Sequence, residues 1–237
     1  MTCPRCKSRF EFAAGPSAPD VEQVQKNQTP GDDTERGPSP WEDRTALGTW
    51  QGIYTTFKAV LFSPNHLFRS LTYKGGIKEP LALGLLFGSI GSMFGTFWEV
   101  LIKGGGGLLM GQDLFGYLSI NLRFLIIMIL TPFVVLLVMF VTSGILHVCL
   151  LIVQAGKHGF EGTFRVVALS QATRILGVVP FVGGIVGAIW FIVVQIIGLR
   201  EMHETSYLKV IIALILPLVL IIPVGLAVMI PFFLFGD

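Results

Sequence analysis

Apolar residues are concentrated in the last two thirds of the chain. Five stretches there are long enough to be read as membrane helices, and they lie near residues 80–102, 124–153, 163–179, 181–199 and 208–235. About 20 helical residues cross the hydrocarbon core of a bilayer, and a helix satisfies its own backbone hydrogen bonds in lipid. The pattern therefore predicts an all-α integral membrane protein, a bundle of five transmembrane helices over residues 80–237.

The third stretch is the ambiguous one, because it is short and contains Gln171 and Arg174. If it crosses the membrane there are five crossings, and if it lies on the surface there are four. With five crossings and a cytoplasmic N-terminus, Lys103 and Arg123 are the only loop Lys and Arg residues on the outer side. The inner side then carries Arg69, Lys74, Lys78, Lys157, Arg165, Arg200 and Lys209. The positive-inside bias thus favours five crossings and an external or periplasmic C-terminus.

Residues 41–79, ahead of the first span, are aromatic-rich and amphipathic. Their apolar residues recur at helical spacing, with Ser63-Pro64-Asn65 as an interruption. This pattern predicts helical structure lying in the membrane interface, with a helix packed on the cytosolic face of the bundle as the open alternative. The residues expected at the interface are aromatic: Trp41, Trp50, Phe57, Phe62 and Phe68.

The composition excludes an ordinary soluble enzyme, since 52% of the residues are hydrophobic and only 14% are charged. A typical soluble domain has about 25% charged residues. The charges are also unevenly placed: residues 1–79 hold 19 of them and residues 80–237 hold 13. The net charge of +2 gives no indication of nucleic-acid binding. The first 30 residues contain no apolar stretch that would predict a cleaved signal peptide.

Glycines recur within the predicted spans at a spacing that allows helices to approach closely. Three GxxxG pairs are present: Gly84 and Gly88, Gly91 and Gly95, and Gly183 and Gly187. Small residues at this spacing favour close helix packing in lipid. They are expected to serve packing within the bundle or dimerisation, and the sequence does not separate these two roles.

Polar side chains inside the predicted spans form the second set of candidates. Gln171 and Arg174 are three residues apart and share a helix face, so they are expected to line a polar cavity, meet a lipid headgroup, or bond to Gln195 on the next helix. His147 is expected to be a hydrogen-bonded structural histidine. Glu99 is an intramembrane or interfacial carboxylate, with Lys103 four residues later as its expected partner.

Catalytic signatures are absent from the sequence. It contains no nucleophile–base pair, no paired catalytic carboxylates and no dinucleotide fingerprint. The glycine run at 104–107 lacks the Lys-Ser/Thr pair of a phosphate loop and follows a predicted transmembrane helix. We therefore expect that the protein is not an enzyme.

Several short motifs, in their order and spacing, carry a family resemblance. They are residues 159–173 (GFEGTFRVVALSQAT), 180–187 (PFVGGIVG), Trp190, 198–206 (GLREMHETS) and the pre-span residues 61–64 (LFSP). Together they resemble the prokaryotic branch of the Yip family, five-pass membrane proteins related to the Rab-interacting Yip proteins. The resemblance implies five helices and a cytosolic N-terminus. The Rab-binding activity of eukaryotic members is not expected of a prokaryotic-type chain.

The N-terminal residues 1–12 carry a separate resemblance. Cys3 and Cys6 form a CPxC knuckle that resembles the second half of a zinc ribbon, and residues 13–40 are expected to be a disordered linker. A structural zinc site needs four ligands, and this knuckle supplies two. Three interpretations stay open: a degenerate remnant, a true start upstream of Met1, or one zinc ion shared by two chains.

These observations favour a non-enzymatic scaffold or adaptor in membrane organisation or protein recruitment. The expected partners are the lipid bilayer, unidentified cytosolic or membrane proteins, and a second copy of the chain. The expected location is the bacterial cell (inner) membrane. The alternative is a small channel or transporter for a solute, ion or lipid, because prolines interrupt the predicted helices at Pro132, Pro217, Pro223 and Pro231.

Overall fold

The computed structural model of the chain describes residues 36–109 and 114–219, with the backbone alone for residues 103–109 and 114–121. Every regular element in these ranges is helical, and one isolated bridge pairs Gly37 with Leu71. The predicted knuckle at 1–12, residues 13–35 of the predicted linker and residues 220–235 of the last predicted span lie outside the described residues.

Three short helices precede the first span: α1 (Arg44–Leu47), α2 (Thr49–Phe62) and α3 (Pro64–Ser70). Gly48 separates α1 from α2 with a φ of +91°, a conformation that side chains on other residues disfavour. Pro64 opens α3, where its missing N–H would have had no helical partner. The interruption predicted around Ser63 is therefore a boundary between two helices.

Three described helices are long and apolar enough to cross a membrane, and they agree in position with predicted spans. They lie within α4 (Lys78–Leu109), α5 (Leu114–Ile152) and α7 (Val182–His203). Pro132 lies inside α5. A fourth helix, α8, covers Tyr207–Val219 and is shorter than a span within the described residues. The count of five crossings stays a prediction.

The ambiguous third stretch is a composite element. It consists of α6 (Gly159–Ser170) followed without a break by a 3-10 helix at Gln171–Val178. Twelve α-helical residues at 1.5 Å and eight 3-10 residues at 2.0 Å extend about 34 Å, close to the length of α7. Its residues from Gly162 to Thr173 are all buried. This part of the element lies inside the protein, whereas residues 174–178, which include Arg174, are partly exposed.

The helix α6 is the centre of the packing, in contact with α4, α5 and α7. Its apolar side chains at Val166, Val167 and Leu169 are buried in the core. Gly84 of α4 faces α6 so closely that a Cβ there would lie 2.6 Å from the backbone oxygen of Ala168. In lipid, such close packing through small residues is a main source of helix association.

Candidate functional site

The 3-10 helix aligns the two polar residues that the sequence placed on one face. In a 3-10 helix, side chains three positions apart are eclipsed, so Gln171 and Arg174 stack one above the other. A 3-10 run of eight residues is unusually long, since such runs seldom exceed three or four residues. The geometry gives this polar pair a common direction, toward α4 and α5.

Arg174 is held by weak interactions only. Its Nη1 donates a hydrogen bond to Ser92 Oγ at 3.2 Å, and its guanidinium lies 5.6 Å from the centre of the Phe191 ring. A guanidinium has five N–H donors. Within the part of the chain that the structure describes, this is the only hydrogen bond from the Arg174 side chain, so most of its donors have no protein acceptor there.

A cavity of about 360 Å³, which we name the Arg174 cavity, lies in front of this pair. Its polar lining residues come from α4, α5 and the 3-10 helix, and its apolar lining residues all belong to α5. The lining residues are Ser92, Thr96, Thr131, Gln171 and Arg174, with Ile127, Leu130, Val134, Val135 and Val138. Several of the apolar residues are also exposed on the outer face of α5, so the cavity borders the surface that would face lipid.

The cavity lies near the middle of the spans. Ser92 is 14 residues from Lys78 and 10 from Ile102, which places it about 21 and 15 Å from the two ends of that span. Phe191 is similarly central in α7, about 14 Å from Val182 and 18 Å from His203. A charged group at this depth is costly in a membrane protein, and such residues mark functional sites by default.

A second cavity of about 410 Å³ lies on the other side of Arg174. Glycines of α4, the 3-10 helix and α7 line it, together with Ser92 and Phe191: Gly91, Gly95, Gly177, Gly183, Gly184 and Gly187. Four of the six glycines that the sequence assigned to helix packing therefore border a cavity. Ser92 and Arg174 line both cavities.

The six predicted packing glycines differ in how closely neighbours approach them. A Cβ at Gly88 would lie 2.8 Å from a methyl of Val135, and one at Gly187 would lie 3.1 Å from the oxygen of Thr173. Cβ atoms at Gly84, Gly91 and Gly183 would also collide with backbone oxygens. Gly95 has no neighbour within 4 Å in the described chain, so packing there does not require a glycine.

Of the three alternatives for Gln171 and Arg174, the hydrogen bond between Gln171 and Gln195 is not found among the described residues. Both residues are buried, with exposed fractions of 2% and 3%. Gln171 Oε1 and Gln195 Nε2 have no hydrogen-bond partner among the described residues. Gln171 and Arg174 both line the Arg174 cavity, which is the first of the three alternatives.

The remaining predicted polar residues lie elsewhere. Glu99 is exposed on α4, and the side chain of Lys103, its expected partner, is outside the description. His147 is hydrogen-bonded, as expected of a structural histidine, through its Nδ1 and Thr163 Oγ1, 3.1 Å apart. It lies at the end of the bundle where α4 begins and α7 ends, which we call the polar end.

Two histidines that the sequence analysis missed complete a chain of hydrogen bonds with His147. The backbone N–H of His158 donates to His203 Nδ1 at 3.3 Å, which leaves the proton of a neutral His203 on Nε2. That nitrogen lies 2.9 Å from Thr163 Oγ1, whose own proton is then directed at His147. The signal in the sequence was positional: all three histidines fall where predicted spans end on the same side.

A buried ion pair ties the pre-span segment to α6 at the polar end. Arg165 Nη2 donates to Glu42 Oε1 at 2.6 Å and to Oε2 at 2.8 Å, and its Nη1 donates to the oxygen of Gly76 at 3.1 Å. The exposed fractions of the two side chains are 0% and 8%. The sequence predicts Arg165 only as one of the cationic residues on the inner side.

Glu204 is the centre of a second group of contacts at the polar end. Its carboxylate accepts hydrogen bonds from the Tyr73 hydroxyl and from Arg36 Nη2, and its backbone oxygen accepts one from Lys157 Nζ. The bond from Tyr73 holds the pKa of Glu204 below its usual range, and Arg36 contributes to the same shift. Glu204 ends α7 in the left-handed conformation, with a φ of 46°.

Further contacts join the same segments. Glu161 Oε1 accepts hydrogen bonds from the backbone N–H groups of Gly75 and Gly76 at 2.7 and 2.6 Å. The rings of Tyr73 and His158 are stacked, with centroids 3.7 Å apart. Burial, and then the bond to Glu204, raise the pKa of Tyr73 to about 12. Three segments distant in sequence, near residues 36–79, 154–162 and 200–206, thus form one surface.

The aromatic residues predicted at the interface divide into two groups. Trp50 and Phe62 are exposed, with fractions of 83% and 76%. Trp41 and Phe57 are partly buried against the core, and Trp41 Nε1 donates to the oxygen of Glu79 at 2.9 Å. Phe68 is fully buried, which corrects its assignment to the interface. The segment is therefore amphipathic in the predicted sense, although part of its aromatic content packs inward.

The polar end offers no group of His, Cys, Asp or Glu side chains arranged to hold a metal ion, as far as the described residues extend. The predicted ligands Cys3 and Cys6 lie outside those residues. What the arrangement provides is a polar surface, joined by hydrogen bonds and ion pairs, at one end of the bundle and a charged cavity at its middle.

Comparison with known proteins gives a single result. The family model described as "Yip1 domain" matches residues 58–229, which is well over half of the 237 residues. No curated protein and no solved structure matches the chain. The match extends from α2, through the three long apolar helices and the buried element between them, to residues beyond α8. The chain belongs to the Yip1 family.

Proposed function

We propose that this protein is a non-enzymatic membrane scaffold or adaptor that recruits protein partners at its polar end. The observation that carries the proposal is the surface formed around Glu204, where three segments distant in sequence are held together. A surface fixed in advance lowers the entropic cost of binding a partner. The bundle anchors this surface to the bilayer.

The pre-span helices support the same function. The ion pair between Arg165 and Glu42 fixes this segment to α6, while Trp50, Tyr54 and Phe62 stay exposed along α2. Exposed aromatic side chains beside cationic residues are typical of helices that lie at a membrane surface. The segment would thereby place the polar end at the level of the headgroups.

Site-specific photocrosslinking in native membranes tests the proposal. A photoreactive residue is placed at Lys74, Lys157 or Ser206, one in each of the three segments and all exposed. The matched control is Ile189, on the outer face of α7. A scaffold predicts one common partner at the three polar-end positions, absent at Ile189 and weakened by Glu204→Ala. Crosslinks to protein that are equal at all four positions, or absent from the polar end, would contradict it.

We further propose that the chain is a prokaryotic-type Yip protein of the bacterial inner membrane, with five crossings, a cytoplasmic N-terminus and an external C-terminus. The distribution of Lys and Arg supports it. The 34 Å length of the composite element is also sufficient for a crossing. A reporter fused after Asp237 tests the topology: an external signal is expected, and a cytoplasmic signal would refute an odd number of crossings.

Zinc binding at Cys3 and Cys6 is a separate part of the proposal. Two thiolates per chain are half of a tetrahedral site, so a zinc ion shared by two chains requires one metal per two copies. Metal analysis of the purified full-length protein, with Cys3→Ser/Cys6→Ser as control, measures this ratio. Protein without zinc removes this part of the proposal and leaves the scaffold role untouched.

The second candidate function is a small channel or transporter for a solute, ion or lipid. The two cavities on either side of Arg174, near the middle of the spans, are the observation in its favour. Flux through purified protein in liposomes that is lost in Arg174→Gln would favour this candidate over the scaffold.

A further inference from the structure

We propose that the Arg174 cavity binds the anionic head of an amphiphile that enters from the bilayer, with its carboxylate or phosphate oxygens against the guanidinium. The site is distinct from the surface at the polar end and does not depend on the scaffold function. It is built from residues of α4, α5 and the 3-10 helix, all of which are described in the structure.

The charge of Arg174 is the first reason. Among the described residues its side chain donates one hydrogen bond, to Ser92 Oγ, and no described carboxylate lines either of the two cavities beside it. In a medium of low dielectric constant a charge without a partner is strongly destabilised. An anion in the cavity would supply both the missing countercharge and the acceptors that the described residues do not provide.

The second reason is the position of Gln171, and it does not depend on the charge of Arg174. The Gln171 side chain is 98% buried, lines the same cavity and has an oxygen without a hydrogen-bond partner in the described chain. An amide nitrogen carries two N–H donors, so Gln171 can donate a hydrogen bond to an anion held by Arg174. Its stacking with Arg174 in the 3-10 helix presents both groups to one ligand.

The third reason is the shape of the cavity. The apolar lining includes Leu130, Val134 and Val138, whose exposed fractions are 49%, 53% and 41%, so the cavity is open along α5. A ligand entering between α4 and α5 would therefore come from lipid, with its hydrocarbon chain along α5. The volume of about 360 Å³ falls within the range of small-molecule sites and suits a head and the first part of a chain.

The experiment uses the full-length protein in nanodiscs of phosphatidylcholine. In one arm the probe is a photoactivatable fatty acid, and in the other a photoactivatable phosphatidylglycerol. Labelled peptides are mapped by mass spectrometry. We expect labelling of α5 between Ile127 and Val138, at lining residues other than Val134 as well, with competition by the unlabelled anionic lipid and not by a fatty alcohol of the same chain length. Labelling in one arm or in both identifies the head; labelling in neither arm overturns the proposal.

Two variants separate recognition of the anion from a loss of folding. Arg174→Gln removes the charge, and we expect labelling to fall by about tenfold or more. Val134→Trp fills the cavity without changing Arg174 and should have a similar effect. Ile189→Trp is the control, because Ile189 is exposed on α7 and lines neither cavity. If Arg174→Gln does not fold, Val134→Trp decides.

Labelling that persists in Val134→Trp, or in a folded Arg174→Gln, overturns the proposal, as does equal competition by the fatty alcohol. Failure here is distinguishable from failure of the scaffold function, since crosslinks at Lys74, Lys157 and Ser206 do not depend on the cavity. Binding without flux in liposomes would likewise separate this site from a transport pathway.

Discussion

Arg165 and Glu42 are 123 positions apart in the chain, yet one nitrogen of Arg165 lies within 2.8 Å of both carboxylate oxygens of Glu42. Both side chains are buried, and the pair connects the segment ahead of the first span to the central helix of the bundle. This contact therefore helps to fix the segment ahead of the first span against α6.

Removing one member of the pair should be strongly destabilising. Arg165→Met leaves the Glu42 carboxylate buried without its countercharge, which costs about 3–5 kcal/mol. Unfolding of the purified protein by titration with sodium dodecyl sulfate measures the loss. The double variant Arg165→Met/Glu42→Met should recover much of it, because neither partner is then an isolated charge.

The control for this prediction is Arg44→Met. Arg44 pairs with Glu79, and each side chain is about one third exposed, so solvent screens the pair. The loss of stability should be much smaller than for Arg165→Met. Equal losses in the two variants would show that burial of the Arg165–Glu42 pair does not matter.

The contact between Tyr73 and Glu204 should make the stability of the protein depend on pH in the acidic range. The pKa of Glu204 is lower in the folded protein than its ordinary value of about 4.3, so its contribution is fully present above that value. It is lost as the pH falls through the folded pKa. The difference in melting temperature between the wild type and Glu204→Gln should therefore shrink as the medium is acidified below about pH 4. A constant difference down to pH 2 would contradict the prediction.

Tyr73 itself should titrate late. Its pKa of about 12 means that the neutral hydroxyl is favoured by folding, a contribution present below the ordinary value of about 10 and lost between pH 10 and 12. The difference in ultraviolet absorption between the wild type and Tyr73→Phe follows this one group. In the Glu204→Gln background, the titration midpoint of Tyr73 should move toward lower pH. A midpoint that stays unchanged would rule out the contact between Tyr73 and Glu204.

Thr163 should be more important than an ordinary buried threonine. Its hydroxyl lies between His147 and His203, so Thr163→Val leaves two imidazole nitrogens without that partner, at a cost of about 1–3 kcal/mol. Thr163→Ser keeps the hydroxyl and should retain most of the stability. Similar losses in Thr163→Val and Thr163→Ser, measured by the same detergent titration, would argue that the hydrogen bonds contribute little.

Substitution by alanine should change the stability of the protein in opposite directions at two glycines of α4. A methyl group at Gly84 collides with the oxygen of Ala168, and overpacking of this kind costs about 1–3 kcal/mol. At Gly95 nothing lies within 4 Å among the described residues, so Gly95→Ala should stabilise the helix by about 0.5–1 kcal/mol. A change in stability of the same sign in Gly84→Ala and Gly95→Ala would contradict this account of α4.

The sequence predicted the three long helices well because hydropathy and length decide them. Predicted spans at 80–102 and 181–199 correspond to Lys78–Ile102 and Val182–His203. The common face of Gln171 and Arg174 was also predictable, since residues three apart are neighbours in an α-helix and eclipsed in a 3-10 helix. The 3-10 geometry itself was not, because no local rule distinguishes it from the end of an α-helix.

The contacts at the polar end were not predictable from local pattern. Nothing near Arg165 in the sequence indicates Glu42 as its partner, and the same holds for Thr163 and His203, which are 40 positions apart. Phe68 follows the helical spacing of the interface residues but packs inward, since the fold supplies an apolar neighbour there. Periodicity defines an apolar face, and only tertiary packing decides whether lipid or protein covers it.

The buried position of the composite element has a consequence for biogenesis. A translocon tests each segment against lipid, and an arginine at the centre of a helix costs about 2.5–3.5 kcal/mol in that test. Residues 159–178 contain two arginines and Gln171 and are covered by α4, α5 and α7 in the finished fold. We therefore expect this element to leave the translocon together with α7, as a hairpin joined at Phe181, and to take its place only after α4 and α5 are already in the membrane.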